Sequence, residues 1–336
     1  MKHIEVILNK ENNVTLKAYL HDTSAEYSGI TKRPSVVVLP GGGYSMCSDR
    51  EADAPAFSYL NAGFNAFILR YTTKDKKGWP APLEDYEQAM EYIIGKSEEW
   101  NIDTQRIAVC GFSAGGHLAA CAATVAKHKP TAAILGYAAL KKELVQFIAP
   151  GAPNPVEQVS YETCPCFLFA TRTDNIVDIS NSLDFESQLT KHGIAFESHI
   201  YGCGSHGFTT GCMEMNGCDL TPRAKNWVAD SIGWLEECWG KLLANGYSKP
   251  LFDVRMNENG GQNLSIKCTY SYLQQFENAK SVLADFERIL DVLPSAIKNI
   301  IGNARVIDLM NVLGMSEEDK SRIDADLNKI VNKKQI

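Results

Sequence analysis

The chain has 336 residues, 45% of them apolar and 22% charged, with a formal net charge of −7. This is enough for one large domain and a small one, in the composition range of ordinary globular proteins. The acidic balance, the lack of a Lys/Arg block and the lack of a long apolar run argue against nucleic acid or a membrane as partner. Residues 1–10 lack the apolar core of a signal peptide, so a cytoplasmic protein is expected.

In chain order, residues 3–8 and 14–20 alternate as an antiparallel hairpin turned at Glu11-Asn12-Asn13. Residues 35–39 (SVVVL) form an apolar run expected of a strand buried on both faces, followed by Pro40-Gly41-Gly42-Gly43-Tyr44. A helix is expected from Glu51 to Asn61 and a strand from Ala66 to Tyr71. Pro80 and Pro82 then open a long helix through Trp100, with apolar positions at Leu83, Tyr86, Met90 and Ile93 or Ile94.

Next comes the stretch around which the chain is organised. The apolar run from Ile107 to Cys110 stops at Gly111 and is followed by the helix-forming series Leu118 to Ala123, with G-x-S-x-G between them. Such spacing in a strand-to-helix elbow lifts the Ser113 hydroxyl clear of the sheet, while the flanking glycines permit tight backbone contacts. The alternative is a glycine-rich turn whose serine only caps the helix.

A strand follows at Ala132–Tyr137, and residues 140–163, with Pro150, Pro153 and Pro155, read as an irregular insertion. Strand Cys166–Ala170, helix Ser180–His192 and strand Ala195–Tyr201 complete the alternation before the loop from Gly202 to Pro222 and a final helix holding Trp227, Trp234 and Trp239. Strands alternating with helices imply a mostly parallel sheet covered on both faces, with ligands at the carboxyl ends of the strands. Composition shifts after Asn245-Gly246, so the expected division is a catalytic domain over 1–246 and a linker with a small helical module over 247–336. Residues 250–265 are the linker, Gly314 a helix stop, and Ser316 a start signal for a helix with Ile323, Leu327 and Ile330.

A serine hydroxyl needs a base, and the base needs an orienting acid. The chain order of nucleophile, acid and histidine places the acid in Thr173-Asp174-Asn175-Ile176-Val177-Asp178, just past a strand. Asp174 is the choice and Asp178 the rival; either could instead cap the following helix. His206, between glycines in residues 204–208 (GSHGF), is the base. His117 lies one helical turn after Ser113 and reads as structural. The oxyanion of the transition state calls for backbone N–H groups from Ala114 and from the glycine-rich stretch Pro40-Gly41-Gly42-Gly43-Tyr44. A phosphate loop would need a Lys-Ser/Thr continuation, which is missing.

The ten cysteines read as reduced thiols, with Cys110, Cys121 and Cys238 in core positions. Cys203, His206, Cys212 and Cys218 can be drawn as a zinc set, but there is no C-x-x-C knuckle and His206 has the better role as base, so no metal is assigned.

Together, residues 40–44 (PGGGY), 48–51 (SDRE), 79–82 (WPAP), 111–117 (GFSAGGH) and 204–208 resemble the α/β-hydrolase superfamily. More narrowly, they resemble its bacterial carbohydrate-acetylesterase-like members, similar to acetyl xylan esterases and feruloyl-esterase-like proteins. The resemblance covers roughly residues 30–240. It implies an α/β-hydrolase fold, a serine esterase acting on small acyl esters such as acetylated saccharides, Ser113, Asp174 and His206 as its triad, and Gly42, Gly43 and Ala114 as oxyanion donors. No cofactor is implied. Two departures stand out: Pro40 replaces a histidine common in relatives, and Val177-Asp178 replaces valine–proline. The rival readings are a peptidase of the prolyl-oligopeptidase type and a non-catalytic binding protein on the same core.

Overall fold

The computed structural model describes the chain except residues 213–218, 252–262, 292, 294–300 and 332–336. Cys218 and most of the expected linker therefore lie outside the described residues. The chain divides into two compact units, one of Met1–Thr190 with Phe196–Phe252, the other of Lys191–Ala195 with Asp253–Ile336.

The first unit is built on an eight-stranded sheet. Strands β1 (Lys2–Asn9) and β2 (Val14–Leu20) form the opening antiparallel hairpin, and β2 pairs antiparallel with β4 (Asn65–Arg70). The rest is parallel: β3 (Arg33–Leu39), β5 (Ile102–Phe112), β6 (Ala132–Gly136), β7 (Cys166–Thr171) and β8 (Phe196–Tyr201), in the order β1-β2-β4-β3-β5-β6-β7-β8. Central strands read as continuous apolar runs because both faces are covered; Val36 to Leu39 have no exposed surface.

Helices α1 (Asp53–Asn61), α2 (Ala81–Gly95), α3 (Ala114–Thr124), α6 (Ser180–Lys191) and α7 (Trp227–Trp239) connect or follow these strands. Strand β5 starts earlier than its apolar run indicated. Helix α2 stops at Gly95 rather than at Trp100, which instead turns back to stack on Phe67. Helix α1 begins at Asp53, because Asp49–Glu51 form a separate 3-10 turn.

The 140–163 insertion is not irregular throughout. It carries α4 (Lys142–Ile148) and α5 (Pro155–Gln158). Pro155 opens α5 rather than breaking it, at the first helical position where its missing N–H costs nothing, and the Asn154 side chain caps that turn by accepting from the Val156 N–H. A short hairpin, β9 (Leu242–Leu243) with β10 (Gly246–Tyr247), occupies the stretch where only a composition shift was read.

The second unit contains α8 (Tyr270–Leu273), α9 (Glu277–Asp291), α10 (Val306–Val312) and α11 (Glu317–Leu327). Ala279, Leu283, Phe286 and Leu290 give α9 one buried stripe at helical spacing. Ser316 caps α11 by accepting from the Asp319 N–H, while Ile330 falls beyond the helix end.

Candidate active site

The strand order puts the ends of β3, β5, β7 and β8 on one rim, and each delivers a piece of the site. At the end of β5, Ser113 adopts φ 52° and ψ −115°, a strained conformation for a residue with a side chain. The flanking glycines make this turn sterically possible. A Cβ on Gly111 would sit 2.1 Å from the Gly115 carbonyl oxygen, and one on Gly115 would sit 2.1 Å from that of Leu39. Strand, turn and buried helix α3 thus press together without room for a methyl group.

Ser113 Oγ lies 2.8 Å from His206 Nε2, and His206 Nδ1 lies 2.8 Å from Asp174 Oδ2. The Asp174 side chain is fully buried and that of His206 nearly so. The other Asp174 oxygen accepts the backbone N–H groups of Ile176 (2.9 Å) and Val177 (2.8 Å), so the carboxylate is oriented by three donors. The loops after β7 and β8 are tied to each other. Thr171 and Thr173 donate to the Gly204 carbonyl, the Gly204 N–H donates to Thr173, and the His206 N–H donates to the Asn175 side chain.

The rival acid is placed elsewhere. Asp178 is exposed and accepts the Ser180 N–H at 2.9 Å at the start of α6; the Ser180 hydroxyl first and then this N–H lower its pKa. That is helix capping.

Gly42 and Gly43 line the cleft beside Ser113, and Ala114 is buried at the first position of α3. Gly42 has φ 128° and its missing Cβ would lie 2.3 Å from the Met46 carbonyl oxygen, whereas Gly43, at φ 61°, faces open space. The Gly41 N–H is already engaged, donating to Glu51 Oε2 at 2.9 Å. The start of this loop is held on both sides: Tyr71 donates its hydroxyl to the Pro40 carbonyl, and the buried Glu51 accepts from the next residue. The sequence placed Glu51 at the start of a helix and in the 48–51 motif, but gave its side chain no role.

His117 is fully buried on α3. Its Nε2 donates to the Pro153 carbonyl (3.0 Å), which can only accept, so Nδ1 of the neutral ring accepts the Tyr44 hydroxyl (2.6 Å). Burial lowers its pKa to about 4. An unfolded histidine titrates near 6.5, so this contribution to stability is complete above that pH. It declines as the pH falls toward 4, where the unfolded chain binds a proton that the fold refuses. We expect a loss of at most about 3 kcal/mol from this group over that range, read as a falling denaturant midpoint. His117→Gln, which keeps a donor and an acceptor, should flatten the slope; an unchanged slope would remove His117 as its cause.

The cleft has a volume of about 360 Å³. Met46, Leu144, Ile148, Ile176 and Val177 give it an apolar side, and Ser48 and Arg50 a polar one. The insertion thus supplies more apolar wall, through Leu144 and Ile148 of α4, than its sequence indicated. Among the described residues no three His, Cys, Asp or Glu side chains converge as a metal site. No helix of the described residues is long and apolar enough to cross a membrane.

Residues 25–149 match the family described as BD-FAE. The chain is 31% identical over 227 residues to endo-1,4-beta-xylanase B of Butyrivibrio fibrisolvens, a match covering 58% of this chain and 34% of that protein. It is 25% identical over 240 residues to an acetylxylan esterase of Xylanibacter ruminicola, covering 63% of this chain and 50% of the relative. The chain thus spans no more than half the length of either. It is also similar to the solved structure of MGS-M1, an α/β-hydrolase enzyme from a Medee basin deep-sea metagenome library. There the identity is 39% and the TM-score 0.65, over 70% of this chain and 97% of that one. Sheet order, the strand–turn–helix at Ser113 and the 39% identical structure agree: the chain belongs to the α/β-hydrolase family.

Proposed function

We propose that the protein is a serine esterase that removes small acyl groups, acetyl above all, from saccharides through an acyl-enzyme on Ser113. The observation that carries this reading is the hydrogen-bonded series from Ser113 through His206 to Asp174, opening on a cleft edged by Gly42 and Gly43. His206 Nε2 takes the Ser113 proton as Oγ attacks the ester carbonyl, and Asp174 stabilises the imidazolium that forms. The N–H groups of Ala114, Gly42 and Gly43 meet the oxyanion. His206 then gives that proton to the departing sugar oxygen, which leaves as the hydroxyl, and water activated by the same imidazole releases the acid. The resemblance to an acetylxylan esterase supports the choice of substrate.

The acyl preference follows from how little the apolar side encloses. Of the residues lining the cleft, Met46 is 55% exposed and Ile176 63% exposed, so the rim stands open to water. A buried CH₂ is worth about 0.8 kcal/mol, but only where the chain leaves water. Across p-nitrophenyl esters from acetate to octanoate, kcat/KM is expected to be highest for acetate and to fall beyond butyrate. An octanoate ester that outperforms acetate would exclude the small-acyl reading. Acetylated xylo-oligosaccharides assayed alongside test the alcohol side.

A further inference from the structure

Glu51 and Tyr137 are not needed to write the reaction, yet both sit buried between the two loops that perform it. The Glu51 carboxylate is 4% exposed and forms no ion pair among the described residues. Its Oε2 accepts the Gly41 N–H (2.9 Å) and its Oε1 accepts the Tyr137 hydroxyl (2.7 Å). The Tyr137 oxygen in turn accepts the Thr209 N–H (3.0 Å), three residues past His206. The Tyr137 ring also stands edge-to-face against His206, with centroids 5.0 Å apart. Burial and the neighbouring Glu51 push the Tyr137 pKa up, so the phenol keeps its proton and donates it.

We infer that Glu51 is a positioning residue that, through Tyr137, locks the oxyanion loop to the histidine loop. Every donor in the series has one direction: Thr209 N–H to Tyr137, Tyr137 O–H to Glu51, Gly41 N–H to Glu51. Only a group with two acceptors can close it, which accounts for a carboxylate buried without a cation. Gly41 leaves no room for an alternative tether, since a Cβ there would lie 2.6 Å from the Phe112 carbonyl oxygen and 2.8 Å from Glu51 Oε2. With Gly41 fixed, the N–H groups of Gly42 and Gly43 are held in place before substrate arrives. The catalytic part of this inference rests on the esterase reading; the tether itself does not.

Glutamine presents one acceptor and one N–H₂ group, so Glu51→Gln satisfies either Gly41 or Tyr137 but not both. Amide hydrogen exchange is expected to speed up in Glu51→Gln and Tyr137→Phe alike, in peptides spanning residues 40–46 and 204–210. On p-nitrophenyl acetate, Glu51→Gln should lower kcat by about 10²-fold, the loss that one misplaced oxyanion donor produces, with KM nearly unchanged. Affinity for a trifluoromethyl ketone, which forms the oxyanion, should fall in parallel. The double variant should be no worse than Glu51→Gln alone, as expected of residues acting as a unit. Unchanged exchange in either loop would overturn the tether whether or not the protein hydrolyses esters. A kcat that is normal per phosphonate-titrated site would overturn its catalytic role. A wild-type protein inert to esters would bring down the esterase reading and leave the exchange result to decide the tether.

Discussion

Ser113→Ala is expected to abolish turnover of p-nitrophenyl acetate, with a loss of about 10⁶-fold in kcat, and His206→Ala should cost nearly as much. The substitution is clean because Ser113 takes part in the fold through its backbone. Its N–H donates to Gly136, and its carbonyl accepts from His117 and Ala139. Alanine keeps these contacts and the strained φ, and loses only the oxygen 2.8 Å from His206 Nε2. The melting temperature should therefore move little while activity disappears. Substantial residual turnover by Ser113→Ala would place the nucleophile elsewhere.

The second large effect separates two aspartates four residues apart. Asp174→Asn is expected to lower kcat by about 10⁴-fold. The asparagine oxygen can still accept from Ile176 and Val177, which turns its N–H₂ group toward His206 Nδ1. Donor then faces donor, the imidazole is driven to the other tautomer, and Nε2 can no longer accept the serine proton. Asp178→Asn should leave kcat unchanged, because asparagine caps a helix as well as aspartate does. Steady-state rates for the two variants settle the point; damage from Asp178→Asn with a silent Asp174→Asn would transfer the acid role to Asp178.

What the sequence made legible was local. The elbow could be read because strand, glycine, serine and helix lie within a dozen residues and each has its own signal. The buried strands announced themselves through continuous apolar runs, and the order nucleophile, acid, histidine placed the remaining groups after strands. Asp174 and Asp178 could not be separated by spacing alone, since both follow β7; only the fold shows one facing His206 and the other capping α6. Helix α4 was missed because prolines on its C-terminal side suggested an irregular stretch. The short β9–β10 hairpin has only two residues per strand, too few for a periodic signal. Glu51 stayed hidden for another reason: its partners Gly41, Tyr137 and, through Tyr137, Thr209 come from distant parts of the chain.

The central claim is that Ser113 is an activated nucleophile, and covalent labelling tests it most directly. The protein would be treated with a fluorophosphonate, digested, and the peptide spanning residues 107–127 weighed. A stoichiometric phosphonyl adduct on Ser113 is predicted, blocked by prior incubation with a slowly turned-over ester and absent from His206→Ala on the same timescale. An unlabelled Ser113, or an adduct that forms equally fast without His206, would contradict the account.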